Sequence, residues 1–152
     1  MKKYSGGCHC GAIRFEMETD LKKAVRCNCS LCRKKGALMH RVKPEQFKIL
    51  QGENDLVLYQ FNTHIAKHFF CRRCGIYTHH HPRSAPDLIA VNLNCLDDDV
   101  DESGLEIIYF DGKKWDTTTL QKINECCEPS AVKKSDAFAE WDNPKDAEYD
   151  KL

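Results

Sequence analysis

Residues 6–17 read GGCHCGAIRFEM, and the two halves of this stretch set the expectation for the whole chain. Over 12–17 apolar and polar side chains alternate, which is the period of a half-buried strand. Comparable short runs recur at 24–25, 37–42, 47–50, 56–61, 66–70, 88–93 and 105–110, most of them rich in β-branched or aromatic residues and bounded by Gly, Pro, Asn or Asp. Many short strands separated by turn residues predict a mainly β fold, a small sandwich or open barrel of antiparallel strands. No segment before residue 115 sustains an i, i+3, i+4 apolar pattern, so little helix is expected beyond a turn in the acidic loop LDDDVDESG at 96–104.

The other half, GGCHCG, brings Cys8 and Cys10 close together, with Gly6, Gly7 and Gly11 allowing a backbone tight enough to turn both thiolates toward one ion. Cys71 and Cys74, in FFCRRCGIY at 69–77, form a second half-site in which Gly75 permits the turn. Four thiolates are the closed tetrahedral set of a structural zinc. A further group, Cys27, Cys29 and Cys32 in RCNCSLCRKKG, offers three thiolates and no fourth ligand nearby in the chain. An open corner is the mark of a reactive zinc. Spacing does not force this partition. Cys71 and Cys74 could instead complete the Cys27 group, or act as a thioredoxin-like redox couple, although that motif belongs in a βαβ context absent here. Arg26, Arg33, Lys34 and Lys35 flank one group, and Lys67, Arg72 and Arg73 the other. These cations either offset thiolate charge or form a solvated basic face.

At 152 residues the chain fits one domain. It carries 23 basic and 23 acidic residues, so no net field draws it to nucleic acid or anionic lipid. Ten cysteines are a heavy load. The N-terminus has two lysines but no apolar stretch behind them, and no later run is long enough to span a membrane. A reducing, cytoplasmic location is therefore expected, where grouped cysteines bind metal more often than they cross-link. Residues 4–115 form the expected zinc-binding domain, and 116–152, polar and interrupted by Pro129 and Pro144, a partly packed extension anchored through Phe138 and Trp141. Cys126 and Cys127 in that extension read as free thiols.

Several residues have two readings. Cys95, in VNLNCLDD, is a possible fourth ligand of the second zinc, or a small buried apolar residue. His79, His80 and His81 point alternately to opposite faces if they lie on a strand, so all three cannot share one ion; they read as surface or site-lining imidazoles. His9 faces outward or supports its neighbouring ligands, His64 and His68 have no assigned role, and Asn92 either hydrogen-bonds near the site or ends a strand.

Taken in order, YSGGCHCGAIRFE, RCNCSLCRKKGAL, HFFCRRCGIYTHHHPRS and AVNLNCLDD resemble the glutathione-dependent formaldehyde-activating enzyme (GFA) family, which includes centromere protein V. The likeness covers residues 4 to 115. It implies a zinc-bearing β-tent fold with two zinc ions, Cys8, Cys10, Cys71 and Cys74 holding the structural one and Cys27, Cys29 and Cys32 the catalytic one in the presumed glutathione site. The activity implied is condensation of glutathione with formaldehyde to S-hydroxymethylglutathione, a carbon–sulfur lyase reaction, with a thiol and an aldehyde as partners. No residue reads as a glutathione clamp or a general acid. The alternative is a non-catalytic zinc module binding protein or nucleic acid, argued for by the CRKK and CRRC clusters and against by zero net charge and a lack of basic residues interleaved with aromatics.

Overall fold

The structure, a computed structural model, describes residues 1–114; the expected extension lies outside them. The mainly β expectation is met, with ten strands and one short helix among the described residues. Strands β1 (Lys2–Gly7), β2 (Arg14–Thr19) and β5 (Phe47–Gln51) make a small sheet in the order β1-β2-β5. The large sheet runs β10-β3-β4-β9-β8-β7-β6, built from β3 (Lys23–Cys27), β4 (Met39–Val42), β6 (Leu56–Tyr59), β7 (Lys67–Cys71), β8 (Tyr77–His81), β9 (Ile89–Asn92) and β10 (Glu106–Phe110). Every pairing is antiparallel except β10 with β3.

Alternation along β2 buries Phe15, Met17 and Thr19 while Glu18 stays exposed. Phe15 and Met17 meet Ala24, Val42, Ile89 and Val91 of the large sheet, with Leu38 and Leu93 next to its strands, in one core. Full burial of each larger apolar side chain contributes about 1.5–3 kcal/mol. The strand begins two residues later than its alternation suggests, because Ala12 and Ile13 close the cysteine loop instead: Cys8 N–H donates to Ile13 O at 3.1 Å.

Strand β1 was not among the expected runs, and two further elements depart from the sequence reading. The first is β8, whose first four residues are all buried because its strand lies inside the large sheet. Burial on both faces removes the alternation that marks a strand. His79 and His80 are therefore core residues rather than surface ones, His79 lying between the rings of Phe47 and Phe69 at 5.0 and 4.8 Å. The second is a helix, α1 (Ser30–Lys35), inside the Cys27 group. It has no buried apolar face to announce it; it is capped by Cys29 at one end and by Gly36 in the left-handed region at the other, with Arg33, Lys34 and Lys35 in a last turn where cations suit the helix dipole. The acidic loop supplies only a 3-10 turn at Glu102–Gly104. Among the described residues no helix is long and apolar enough to cross a membrane.

Candidate metal centres

The fold brings seven of the eight described cysteines into two groups, each with its sulfurs within 4.8 Å of one another: Cys8, Cys10, Cys71 and Cys74, and Cys27, Cys29 and Cys32. All eight are free thiols. In the first group the Cys8–Cys10 and Cys10–Cys71 sulfurs are 3.5 and 3.7 Å apart. Sulfurs at the corners of a tetrahedron with metal–sulfur bonds of ~2.3 Å are about 3.8 Å apart, so these two spacings suit a single zinc ion.

The first group joins the two sheets. Cys8 and Cys10 sit on the loop between β1 and β2, Cys71 ends β7, and Cys74 lies on the turn from β7 to β8. At that turn Gly75 N–H donates to Cys71 O at 2.8 Å and Cys71 N–H to Ile76 O at 2.9 Å. The turn requires φ of +73° at Gly75, a region side chains disfavour. Amides aim at the sulfurs, Ile13 N–H at Cys8 from 3.2 Å and Arg73 N–H at Cys71 from 3.4 Å. Such donors favour the thiolate. Cys74 is lowered to about 6 by the Ile76 and Cys10 amides although desolvation pulls the other way. Ala12, Ile13 and Leu56 pack against Cys8 and Cys71 and exclude water from one side.

The second group is local. Cys27 ends β3, Cys29 caps α1, and Cys32 lies within that helix. Cys29 N–H donates to Cys27 Sγ and Cys32 N–H to Cys29 Sγ, both at 3.4 Å. Cys29 is held far below the ordinary thiol range by the hydrogen bonds from Cys27 and Cys32, whereas Cys27, bonded to that anion, is pushed up to about 11 and Cys32 is raised well above its usual value. Three sulfurs this close cannot all ionise alone, and a bound divalent cation is what would let them.

Cys95 does not join either group. It is buried, its thiol donates to Tyr77 O at 3.4 Å, and burial pushes it up to about 12. The neighbours acting on it are Cys8 and Cys74, not the Cys27 group to which it was a possible fourth ligand. The 3-10 turn Leu93–Cys95 after β9 carries it into the core cluster with Phe15, Val91 and Leu93. Asn92 fixes the same place, donating to Tyr77 O at 2.8 Å and accepting from Asn94 N–H at 3.3 Å. His9 is exposed between the first two cysteines. His68 is buried and its Nδ1 bonds the Tyr77 hydroxyl at 2.9 Å, while His64 is exposed. Of the flanking cations, Arg26 is committed to Glu102 and Arg73 to Asp55. Arg33 and Lys34 are exposed, and Lys35 alone turns inward.

Gly112 carries no signal in the sequence, yet it lies against the second group. Asn28 ties the loops together, its amide donating to Asp111 at 2.9 Å, and a Cβ at Gly112 would fall 2.6 Å from Cys27 Sγ and 2.8 Å from Cys29 Cβ. Gly112→Ala is accordingly expected to displace Cys27 and weaken metal binding at this group alone, by about 1–3 kcal/mol, or roughly ten- to a hundred-fold. Competition with a chelator, comparing the tighter and weaker metal in each protein, checks this. Unchanged affinity for both would show that the loop does not bear on the cysteines.

Comparison with known proteins agrees with this arrangement. A family model described as glutathione-dependent formaldehyde-activating enzyme matches residues 3–110. A crystal structure of a protein from Rhodobacter sphaeroides is 40% identical, the match covering 70% of this chain and 99% of that one with a TM-score of 0.64. Since the family match spans both sheets and both cysteine groups, the chain belongs to the glutathione-dependent formaldehyde-activating enzyme family.

Proposed function

We propose that this protein is a zinc-dependent carbon–sulfur lyase of the cytoplasm that joins a low-molecular-weight thiol, glutathione first among the candidates, to an aldehyde of the formaldehyde class, or reverses that addition. The observation that carries the reading is the contrast between the two groups among the described residues: four cysteines that close one site, and three with no fourth cysteine beside them. In this reading Cys8, Cys10, Cys71 and Cys74 hold a structural zinc and Cys27, Cys29 and Cys32 a reactive one. Zinc held by three thiolates would supply an open position at which a thiol is kept as thiolate near neutral pH.

The chain's own residues prepare that position. The Cys29 and Cys32 amides fix two of the sulfurs. The 111–112 loop, tied to Asn28, blocks approach from the side of Cys27. The alternative of a nucleic-acid module gains little support, because Arg26 and Arg73 are spent on carboxylates and the formal net charge is zero.

Glutathione titrated into cobalt-substituted protein is expected to change the metal-centred absorption, and to lose this effect in Cys27→Ser. A cobalt spectrum indifferent to glutathione and to other small thiols would sink the proposal.

A further inference from the structure

Among the described residues, two buried side-chain nitrogens have no hydrogen-bond partner: Lys35 Nζ and His80 Nδ1. Both belong to one cluster. Lys35 Nζ stands 3.5 Å above the ring centre of Tyr77, His80 stacks on the same ring at 5.9 Å, and His68 stacks on His80 at 5.1 Å. The two polar atoms of Tyr77 are taken up, its hydroxyl by His68 Nδ1 and its carbonyl by Asn92 and Cys95. Leaving a buried ammonium without a hydrogen bond is costly, and the face of one aromatic ring offsets only part of that cost.

The cluster adjoins the second cysteine group. Lys35 lies on α1 three residues after Cys32, the spacing that places two side chains on one helix face. The charge of Cys32 and Cys29 acts on Lys35 and Tyr77, and that of Cys29 on His68. Burial lowers Lys35 to about 8, so a substantial share of its molecules still carries three N–H donors at neutral pH.

We propose that Lys35, backed by the Tyr77–His68–His80 cluster, is the binding site for the carbonyl oxygen of the aldehyde substrate. This rests on the thiol–aldehyde reading above. In the addition, the sulfur–carbon bond forms, the carbonyl π bond breaks with its electron pair passing to oxygen, and the proton lost by the thiol ends on that oxygen. Nothing is oxidised or reduced. The ammonium of Lys35 donates a hydrogen bond to the oxygen as it gains negative charge, which is where a fixed donor stabilises most. A vacant donor beside an open metal site meets that requirement, and an aldehyde as small as formaldehyde has no other polar atom by which to be held.

The test uses zinc-loaded protein and acetamide, an unreactive carbonyl compound, followed by NMR of the Tyr77 and His80 rings. Shifts in the wild type that vanish in Lys35→Met support the site. So does a fall in the addition rate of roughly a hundred-fold in Lys35→Met while glutathione still perturbs the cobalt spectrum. An absence of acetamide shifts in the wild type overturns the proposal, whether or not Lys35→Met folds. Retention of the wild-type rate in Lys35→Met also overturns it. If Lys35 is only a counter-ion to the thiolates, Lys35→Met loses the second zinc and acetamide leaves the wild-type rings unmoved. Failure of glutathione to touch the cobalt, with acetamide shifts intact, would instead strike the thiol reading and leave the oxygen site standing.

Discussion

Cys71→Ser protein is expected to be unfolded or aggregated under conditions in which Cys27→Ser protein is folded and retains one zinc. The difference follows from where the two groups sit in the chain. The Cys10 and Cys71 sulfurs meet although the two residues are 61 positions apart in the chain and sit at two different sheets. A metal there closes a long loop, and binding to a structural four-cysteine site is worth about 10–16 kcal/mol. That is comparable to or larger than the whole stability of a domain, about 5–15 kcal/mol. Cys71 is also fully buried against Cys8, Ala12 and Ile13, so a serine hydroxyl would be left there without its ion. Cys27, Cys29 and Cys32 lie on neighbouring turns of one segment, and losing a metal there frees little chain. Circular dichroism with metal analysis on both variants decides the matter. Equal collapse of the two proteins would mean that the groups do not divide structural from reactive roles.

Acid should unfold the protein well above the pH at which carboxylates alone would. Four imidazoles are buried as neutral rings. Burial lowers His40, lowers His68 to about 4 and His79 to about 3, and takes His80 well below its usual value, with the charges of Lys35 and Arg41 adding to the effect at His80. His40 is held between Lys23 O at 2.7 Å and the Thr19 hydroxyl at 2.8 Å. A group whose pKa is depressed on folding contributes stability above its ordinary value, here 6.5, and that stability is lost as pH falls toward the folded value. Across this window each histidine costs up to about 1.4 kcal/mol per pH unit. Together they approach the total stability of a domain of this size. His79→Phe removes one titrating ring between two aromatic neighbours and is expected to move the acid midpoint to lower pH. Zinc release monitored in the same titration separates this from protonation of the thiolates. A midpoint near pH 3, or one that His79→Phe leaves in place, would contradict the account.

What could be read from the sequence, and what could not, divides along physical lines. Strands with one face in the core announced themselves by alternation, as Phe15, Met17 and Thr19 do along β2. Strand β8 did not, because Tyr77, Thr78, His79 and His80 are all buried and no period survives. Helix α1 was invisible for the opposite reason: none of its six residues is buried. Close spacing within CHC, CNCSLC and CRRC was enough to propose the cysteine groups, since few other uses explain thiols packed so densely. Spacing left the partition into four and three open and the family resemblance implied it; the fold places the β1–β2 loop beside Cys71 and Cys74. Cys95 shows the limit of ligand counting: a cysteine after an apolar strand looks like a fourth ligand, yet its thiol is turned to Tyr77 O. Lys35 was noticed only as one of several cations, because sequence spacing shows the shared helix face only once a helix is known. Gly112 depends on a contact between distant loops and had no local signal at all.

In the proposed reading one zinc is closed by four sulfurs and the other is held by three with an open position. Zinc-edge X-ray absorption of the two-zinc protein tests it most directly. An average of about 3.5 sulfur ligands per zinc is expected in the free protein, rising to about four with glutathione bound. Four sulfurs per zinc before any thiol is added, with no change on adding it, would contradict the account.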